Sequence, residues 1–131
     1  MRALVAVTLA ALAAACAAAP EGQSPTASPP PMMTMNRDLK SMTEAALEDA
    51  VRRTGLGRPQ LRVISAEAVT WADGSIGCPQ PGVYYTQALV PGYRIRIEAG
   101  REVLDYHAGR RGQLILCPPG RSVEPSPGGP T

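Results

Sequence analysis

Among side chains suited to act as nucleophile, general base or soft metal ligand, histidine occurs once, at His107, and cysteine three times, at Cys16, Cys78 and Cys117. Asp105 stands two residues before His107, which in an extended segment puts both on one face. Adding Ser75 writes out a serine, histidine and carboxylate set, in which imidazole takes the hydroxyl proton and the carboxylate orients the ring. The surrounding Asp73-Gly74-Ser75-Ile76-Gly77 approaches the G-x-S-x-G nucleophile elbow, but Asp73 stands where its first glycine belongs. A chain of 131 residues also has no room for the large sheet on which that elbow sits. Asp105 and His107 alone fall short of the three protein donors that a catalytic metal needs. No catalytic residue, metal or cofactor is therefore assigned. His107 reads as a strand histidine bonded across a sheet, with a small hydrolase using it as the alternative.

The cysteines divide by position. Arg2 followed by the apolar run of residues 3–15 has the charged start, greasy middle and small-residue end of a secretory signal. Leu12-Ala13-Ala14-Ala15-Cys16 resembles a bacterial lipobox, with Ala13 at the position where Leu is usual. On that reading Cys16 is acylated and becomes the new amino terminus. The alternative is ordinary cleavage at Ala17-Ala18-Ala19, which would leave Pro20 directly after the cut. Acyl chains add about 0.8 kcal/mol of membrane affinity per buried methylene, so the expected location is the cell envelope, with the membrane as a partner through Cys16. Cys78 and Cys117 then remain as an even pair in an exported chain, which argues for a disulfide.

The block Trp71-Ala72-Asp73-Gly74-Ser75-Ile76-Gly77-Cys78-Pro79, followed by Pro91-Gly92-Tyr93, Asp105-Tyr106-His107 and Leu116-Cys117-Pro118, resembles a family of small secreted bacterial proteins and lipoproteins of uncharacterised function. The resemblance covers roughly residues 69–118. It implies two paired cysteines and no activity.

The elements that would position these residues follow from composition and period. Most of the 14 prolines fall in residues 20–31 and 118–130, stretches too poor in apolar residues to offset the entropy of ordering. The expected organisation is a signal peptide over 1–15, a lipidated cysteine and Pro/Ser-rich linker over 16–35, a globular domain over 36–117 and a disordered tail over 118–131. Leu39, Met42, Ala46, Leu47, Ala50 and Val51 recur at helical spacing, with Ser41 as the expected cap and Gly55 as the stop. Residues 61–71 read as a strand whose imperfect alternation hides a bulge. Residues 83–89 read as a second strand, and Tyr93-Arg94-Ile95-Arg96-Ile97-Glu98 as a clean alternating one. Short turns lead into strands over 102–108 and 113–117, so the sheet should be antiparallel. The expected fold is α+β: one N-terminal amphipathic helix on a four- or five-stranded antiparallel sheet, stapled by a disulfide, cystatin-like or PepSY-like by analogy.

Between the first two strands lies the segment richest in turn formers and aromatics. Gly74, Gly77, Pro79, Pro81 and Gly82 shape backbone without filling a core, so the loop is expected to be held out for contact. Trp71, Asp73, Ser75, Gln80, Tyr84 and Tyr85 form the candidate binding surface, where the aromatics could make a stacking platform, although core packing with the hydroxyl at the surface is the expected fate of most of them. Arg94, Arg96, Arg110 and Arg111 could share a basic face for an anionic ligand, opposed by Glu98, Glu102 and Asp105 in the same hairpin. A formal charge of +2, from 13 basic and 11 acidic residues, argues for no nucleic-acid partner. The expected function is a non-enzymatic binding or assembly domain on an envelope lipoprotein, with an envelope protein or anionic ligand as partner. A protease-inhibitor-like module presenting residues 77–82 is the other alternative.

Overall fold

The computed structural model describes residues 31–128. The expected signal peptide, Cys16 and most of the expected linker lie outside the described residues. One helix, α1 (Pro31–Thr54), leads through a single helical turn at Arg58–Gln60 into four strands. These are β1 (Leu61–Trp71), β2 (Val90–Ala99), β3 (Glu102–Gly109) and β4 (Leu114–Cys117), which pair in chain order as an antiparallel meander. The sheet is four-stranded and the class is α+β.

The helix begins earlier than its apolar stripe suggests. Pro31 occupies its first position, where a missing N–H costs nothing, so Ser41 lies inside the helix rather than capping it. Its end falls at Gly55, whose φ of 70° lets its N–H reach the Val51 carbonyl at 2.9 Å. Ala46, Leu47 and Ala50 are buried against Tyr93, Ile95 and Ile97 of β2 and Leu104 and Tyr106 of β3. The two alanines let the helix lie close to the sheet, and Tyr106 donates to Asp49 Oδ2 across the interface at 3.0 Å. Burial pushes the Tyr106 hydroxyl up, and its bond to the Asp49 carboxylate adds to the shift. The expected bulge is present: the register of β1 on β2 slips between Val63 and Ser65.

Two expectations fail on the other face of the sheet. Residues 83–89 form no strand, because β1 and β2 pair directly from Leu61 against Ala99 to Trp71 against Val90. That long hairpin leaves residues 72–89 as an excursion with no strand to join. It closes on itself instead, with Gly74 N–H donating to the Thr86 carbonyl at 2.9 Å. The tail is the second correction, since residues 118–128 are not a disordered arm. They run as a strap over the excursion, with Val123 N–H on the Gly77 carbonyl and Ser126 N–H on the Thr70 carbonyl, both at 2.8 Å. Composition describes such a segment in isolation. Here it leaves a residue already pinned by a disulfide, and its backbone and charged side chains find partners on the sheet.

Candidate functional site

The excursion carries a second, smaller core. Val69, Trp71 and Ile76 are buried there, with Val90 and Ile115 packed against them. Trp71 sits between two glycines that make room for it. Any side chain at Gly77 would collide with the indole ring, and one at Gly92 would strike the Ala108 carbonyl and approach Trp71 Nε1 to 2.7 Å. The indole N–H donates to that same carbonyl at 3.2 Å. Trp71 is thus a core residue, not part of a surface platform.

Behind the indole lies His107, fully buried and stacked on Trp71 with ring centroids 4.5 Å apart. Its Nδ1 is 2.8 Å from the Ile76 carbonyl, and a carbonyl only accepts, so Nδ1 carries a proton. Ile76 achieves this with a φ of 47°, a left-handed conformation that costs a β-branched residue about 1–3 kcal/mol. The neighbouring contacts hold it: Asp73 Oδ1 accepts the Ser75 N–H at 2.8 Å, and Cys78 N–H bonds the Ser75 carbonyl at 3.1 Å. Nε2 lies 3.2 Å from Ser122 Oγ and 3.4 Å from Asp105 Oδ1.

Around His107 a polar group is sealed between sheet and strap. Arg94 donates to both carboxylate oxygens of Asp105, at 3.1 and 2.8 Å, to Glu124 at 2.7 Å and to Ser122 Oγ at 3.1 Å. The Ser122 hydroxyl in turn donates a hydrogen bond to Asp105 Oδ2 at 2.9 Å. Burial alone would raise the Asp105 carboxyl, but hydrogen bonds from His107, Arg94 and Ser122 outweigh it and hold the acid well below the usual carboxylate range. The bond to Asp105 is likewise what chiefly raises Arg94.

This geometry replaces the Ser75 set. Both ring nitrogens of His107 face other partners, Ile76 and Ser122, and Asp105 approaches Nε2 rather than the Nδ1 that a triad carboxylate orients. The hydroxyl near the histidine is Ser122, and its proton is held by a carboxylate. Ser75 itself is buried. Among the described residues no group of three or more histidine, cysteine or acidic side chains is placed to hold a metal ion. Arg94 also leaves the expected basic face, because it is buried and doubly paired, while Arg62 pairs with Glu98 at 2.7 Å. Only Arg96, Arg110 and Arg111 of that set remain outside such pairs.

The staple is present: Cys78 and Cys117 are bonded, with Cα atoms 5.7 Å apart. It fixes the middle of the excursion to the end of β4. Beyond Cys78 the chain leaves the sheet, and residues 79–84 are exposed. Arg121 of the strap grips the base of this tip by donating twice to the Pro79 carbonyl, at 3.2 and 2.9 Å. Within the tip, Val83 N–H bonds the Gln80 carbonyl at 3.2 Å and the Tyr85 hydroxyl accepts the Gln80 N–H at 3.1 Å. Tyr84 is completely exposed, and Val83 and Leu89 are about half so or more. Of the six candidate surface residues, then, Gln80 and Tyr84 lie on the surface and Tyr85 is half-buried as a brace. Asp73 shapes the turn, and Trp71 and Ser75 are interior.

Sequence reasoning missed Arg121, Ser122 and Glu124. Part of the signal was there: the β2–β3 hairpin, whose two strands and short turn were expected, puts Arg94 opposite His107 and Arg96 opposite Asp105. Nothing local says that a serine and a glutamate beyond the last strand return to complete the group.

A disulfide-stapled α+β domain with a strapped excursion on one sheet face is thus the class defined by fold and site. The chain belongs to a family described as a domain of unknown function, DUF8738, whose model matches residues 43–117. That stretch holds the second half of the helix, all four strands, the excursion and both paired cysteines. Comparison with curated proteins and with solved structures gave no match.

Proposed function

We propose that the chain is a lipoprotein of the bacterial cell envelope, anchored through Cys16, whose domain is a non-enzymatic binding module with the tip of the excursion as its contact surface. The observation that carries the reading is Tyr84. An aromatic ring left wholly in water gains nothing for the fold, yet the backbone beneath it is restrained by a disulfide, by the Arg121 bonds and by the Tyr85 hydroxyl. Ordering a loop in advance lowers the entropy cost of binding, and exposed tyrosine is a favoured anchor at protein interfaces. A cleft of about 420 Å³ beside the tip, lined by Pro79, Gln80, Pro81 and residues 120–123, gives the same surface a concave flank. In support of a non-enzymatic role, His107 is fully buried and its ring nitrogens are committed within the fold.

A photo-crosslinking residue at position 84 tests the surface in intact cells. It should capture a discrete envelope protein, and the same probe at exposed Arg101, at the opposite end of the sheet, should not. Equal, diffuse labelling from both positions would retire the tip as a site. For the anchor, metabolic labelling with an acyl analogue should mark the chain and vanish in Cys16→Ser. Labelling that survives this change would remove the lipoprotein assignment.

A further inference from the structure

We infer that the tip is a substrate-like inhibitory loop for a serine peptidase that selects aromatic residues, with Tyr84 entering the enzyme's primary pocket. This rests on the reading of the tip as the contact surface and names the partner that would meet it. Tyr84 is the one aromatic side chain among the described residues that is completely exposed, and the segment that carries it is braced by the Tyr85 hydroxyl, Arg121 and the disulfide. A single fully exposed ring on a restrained backbone fits a cleft with a deep apolar pocket better than it fits a flat surface. The primary pocket of an aromatic-selective serine peptidase has that shape and chemistry.

What separates an inhibitor from a substrate is the fate of the chain on either side of the bond attacked. Attack on Tyr84 forms a bond from the enzyme's serine oxygen to the Tyr84 carbonyl carbon. The carbon–nitrogen bond to Tyr85 breaks, and the departing nitrogen receives the serine's proton through the enzyme's histidine. In this loop both new ends stay where they are. On the Tyr84 side, Val83 N–H is held by the Gln80 carbonyl, Pro79 by Arg121 and Cys78 by its disulfide. On the Tyr85 side, the Thr86 carbonyl holds Gly74 N–H, and the Tyr85 hydroxyl reaches back across the break to Gln80 N–H. The new amine therefore remains beside the acyl ester and excludes the water that would hydrolyse it. Its return attack re-forms the peptide bond and frees the serine, so the enzyme is occupied without net turnover. The Tyr85 ring, half-buried and bonded to the opposite limb, is the group that ties the two pieces together.

The test uses the mature chain, purified in detergent, with chymotrypsin as the aromatic-selective probe and trypsin as the basic-selective control. The wild-type chain should inhibit chymotrypsin near one-to-one stoichiometry and leave trypsin active. Tyr84→Ala should weaken inhibition by about 30-fold or more, the loss of a hot-spot side chain, and Tyr84→Arg should transfer it to trypsin. Because the ring touches nothing in the fold, both variants should melt with the wild type. Tyr85→Phe removes only the hydroxyl brace and should convert the chain from inhibitor to substrate, cut between residues 84 and 85. Absence of inhibition, or rapid cleavage of the wild-type tip, would overturn the inference. If crosslinking from position 84 still captures a discrete envelope protein, the binding reading survives that failure; if it captures nothing discrete, both fall.

Discussion

Arg94 binds two carboxylates through one guanidinium at nearly the same distance, Asp105 at 2.8 Å and Glu124 at 2.7 Å. Counting contacts would rank them equal. Burial does not, because the side chains of Arg94 and Asp105 are 9% and 16% exposed while that of Glu124 is 81% exposed. An exposed pair contributes about 0–1 kcal/mol after screening and side-chain entropy. Removing one partner of a buried pair costs about 3–5 kcal/mol, since it leaves a charge that water cannot reach. Asp105→Asn keeps the shape and leaves Arg94 with Ser122 Oγ and, as its one carboxylate, Glu124 reaching in from solvent, so the expected cost is near the lower end, about 3 kcal/mol. Glu124→Gln should cost less than about 1 kcal/mol. For a domain of this size about 4–8 °C accompanies each kcal/mol, so the melting temperature should fall by about 12–24 °C in the first case and by less than about 8 °C in the second. Urea unfolding with the disulfide intact is the cleaner assay, as an unchanged slope with a shifted midpoint isolates stability. Equal losses from the two variants would refute the argument that burial, not contact, sets the strength of this group.

The same carboxylate gives a pH dependence of definite sign. Its folded value is depressed, so its contribution is present above the unfolded value of about 3.9 and disappears as pH falls through the folded one; wild-type stability should drop on acidification below about pH 5, and the drop should be shallower in Asp105→Asn by equilibrium unfolding. Opening the bond between Cys78 and Cys117, which are 39 residues apart, should cost about 4 kcal/mol in the chain-entropy model, read as a fall in melting temperature after reduction. Gly92→Ala drives a methyl group into the Ala108 carbonyl and the Trp71 ring, and should destabilise by about 3 kcal/mol in urea titration, whereas Gly82→Ala, with open space around it, is limited to the strain of its φ of 75°. Ending the chain at Cys117 removes the strap bonds to Gly77 and Thr70 and should make Trp71 accessible to fluorescence quenchers that the intact chain excludes.

Where a short period decides the outcome, the fold was legible. The stripe from Leu39 to Val51 and the alternation of Tyr93, Ile95 and Ile97 each point one face at the core, and those are the faces that are buried. The bulge in β1 was also visible, as a break in alternation. Residues 83–89 misled because strand-like composition says nothing about whether a partner edge is left, and the β1–β2 hairpin had already used its own. Trp71 misled for a related reason. Its place at the edge of a segment rich in turn formers put it on the candidate surface, but Gly77 and Gly92 are small because the ring lies against them. Gln80 is exposed in the turn where two prolines and a glycine put it, whereas Tyr84 is exposed because the strand expected over residues 83–89 does not form. The strap escaped entirely, as its partners Arg94 and Gly77 lie far away along the chain and no local pattern records such pairings.

The strap also bears on how the site is divided along the chain. The stretch matched by the family ends at Cys117, one residue before the strap begins, yet Arg94, Asp105 and His107 all fall within it. Those three form an incomplete group on their own: Arg94 and Asp105 satisfy each other, while His107 Nε2 has only the Asp105 oxygen at 3.4 Å. Ser122 supplies the missing bridge, accepting from Arg94, donating to Asp105 and lying against Nε2. Arg121, one residue earlier, reaches the opposite way to the Pro79 carbonyl at the base of the tip. Adjacent strap residues therefore tie the buried polar group to the exposed loop. A change at the strap is felt at both, which makes residues 121 and 122 the place where stability of the sheet face and shape of the tip are coupled. Double-mutant cycles between Arg121→Ala and Tyr85→Phe should show that coupling as non-additivity, because both substitutions loosen the limb that runs from Pro79 to Gln80. Strict additivity in stability would mean that the strap and the Tyr85 brace act on the tip independently.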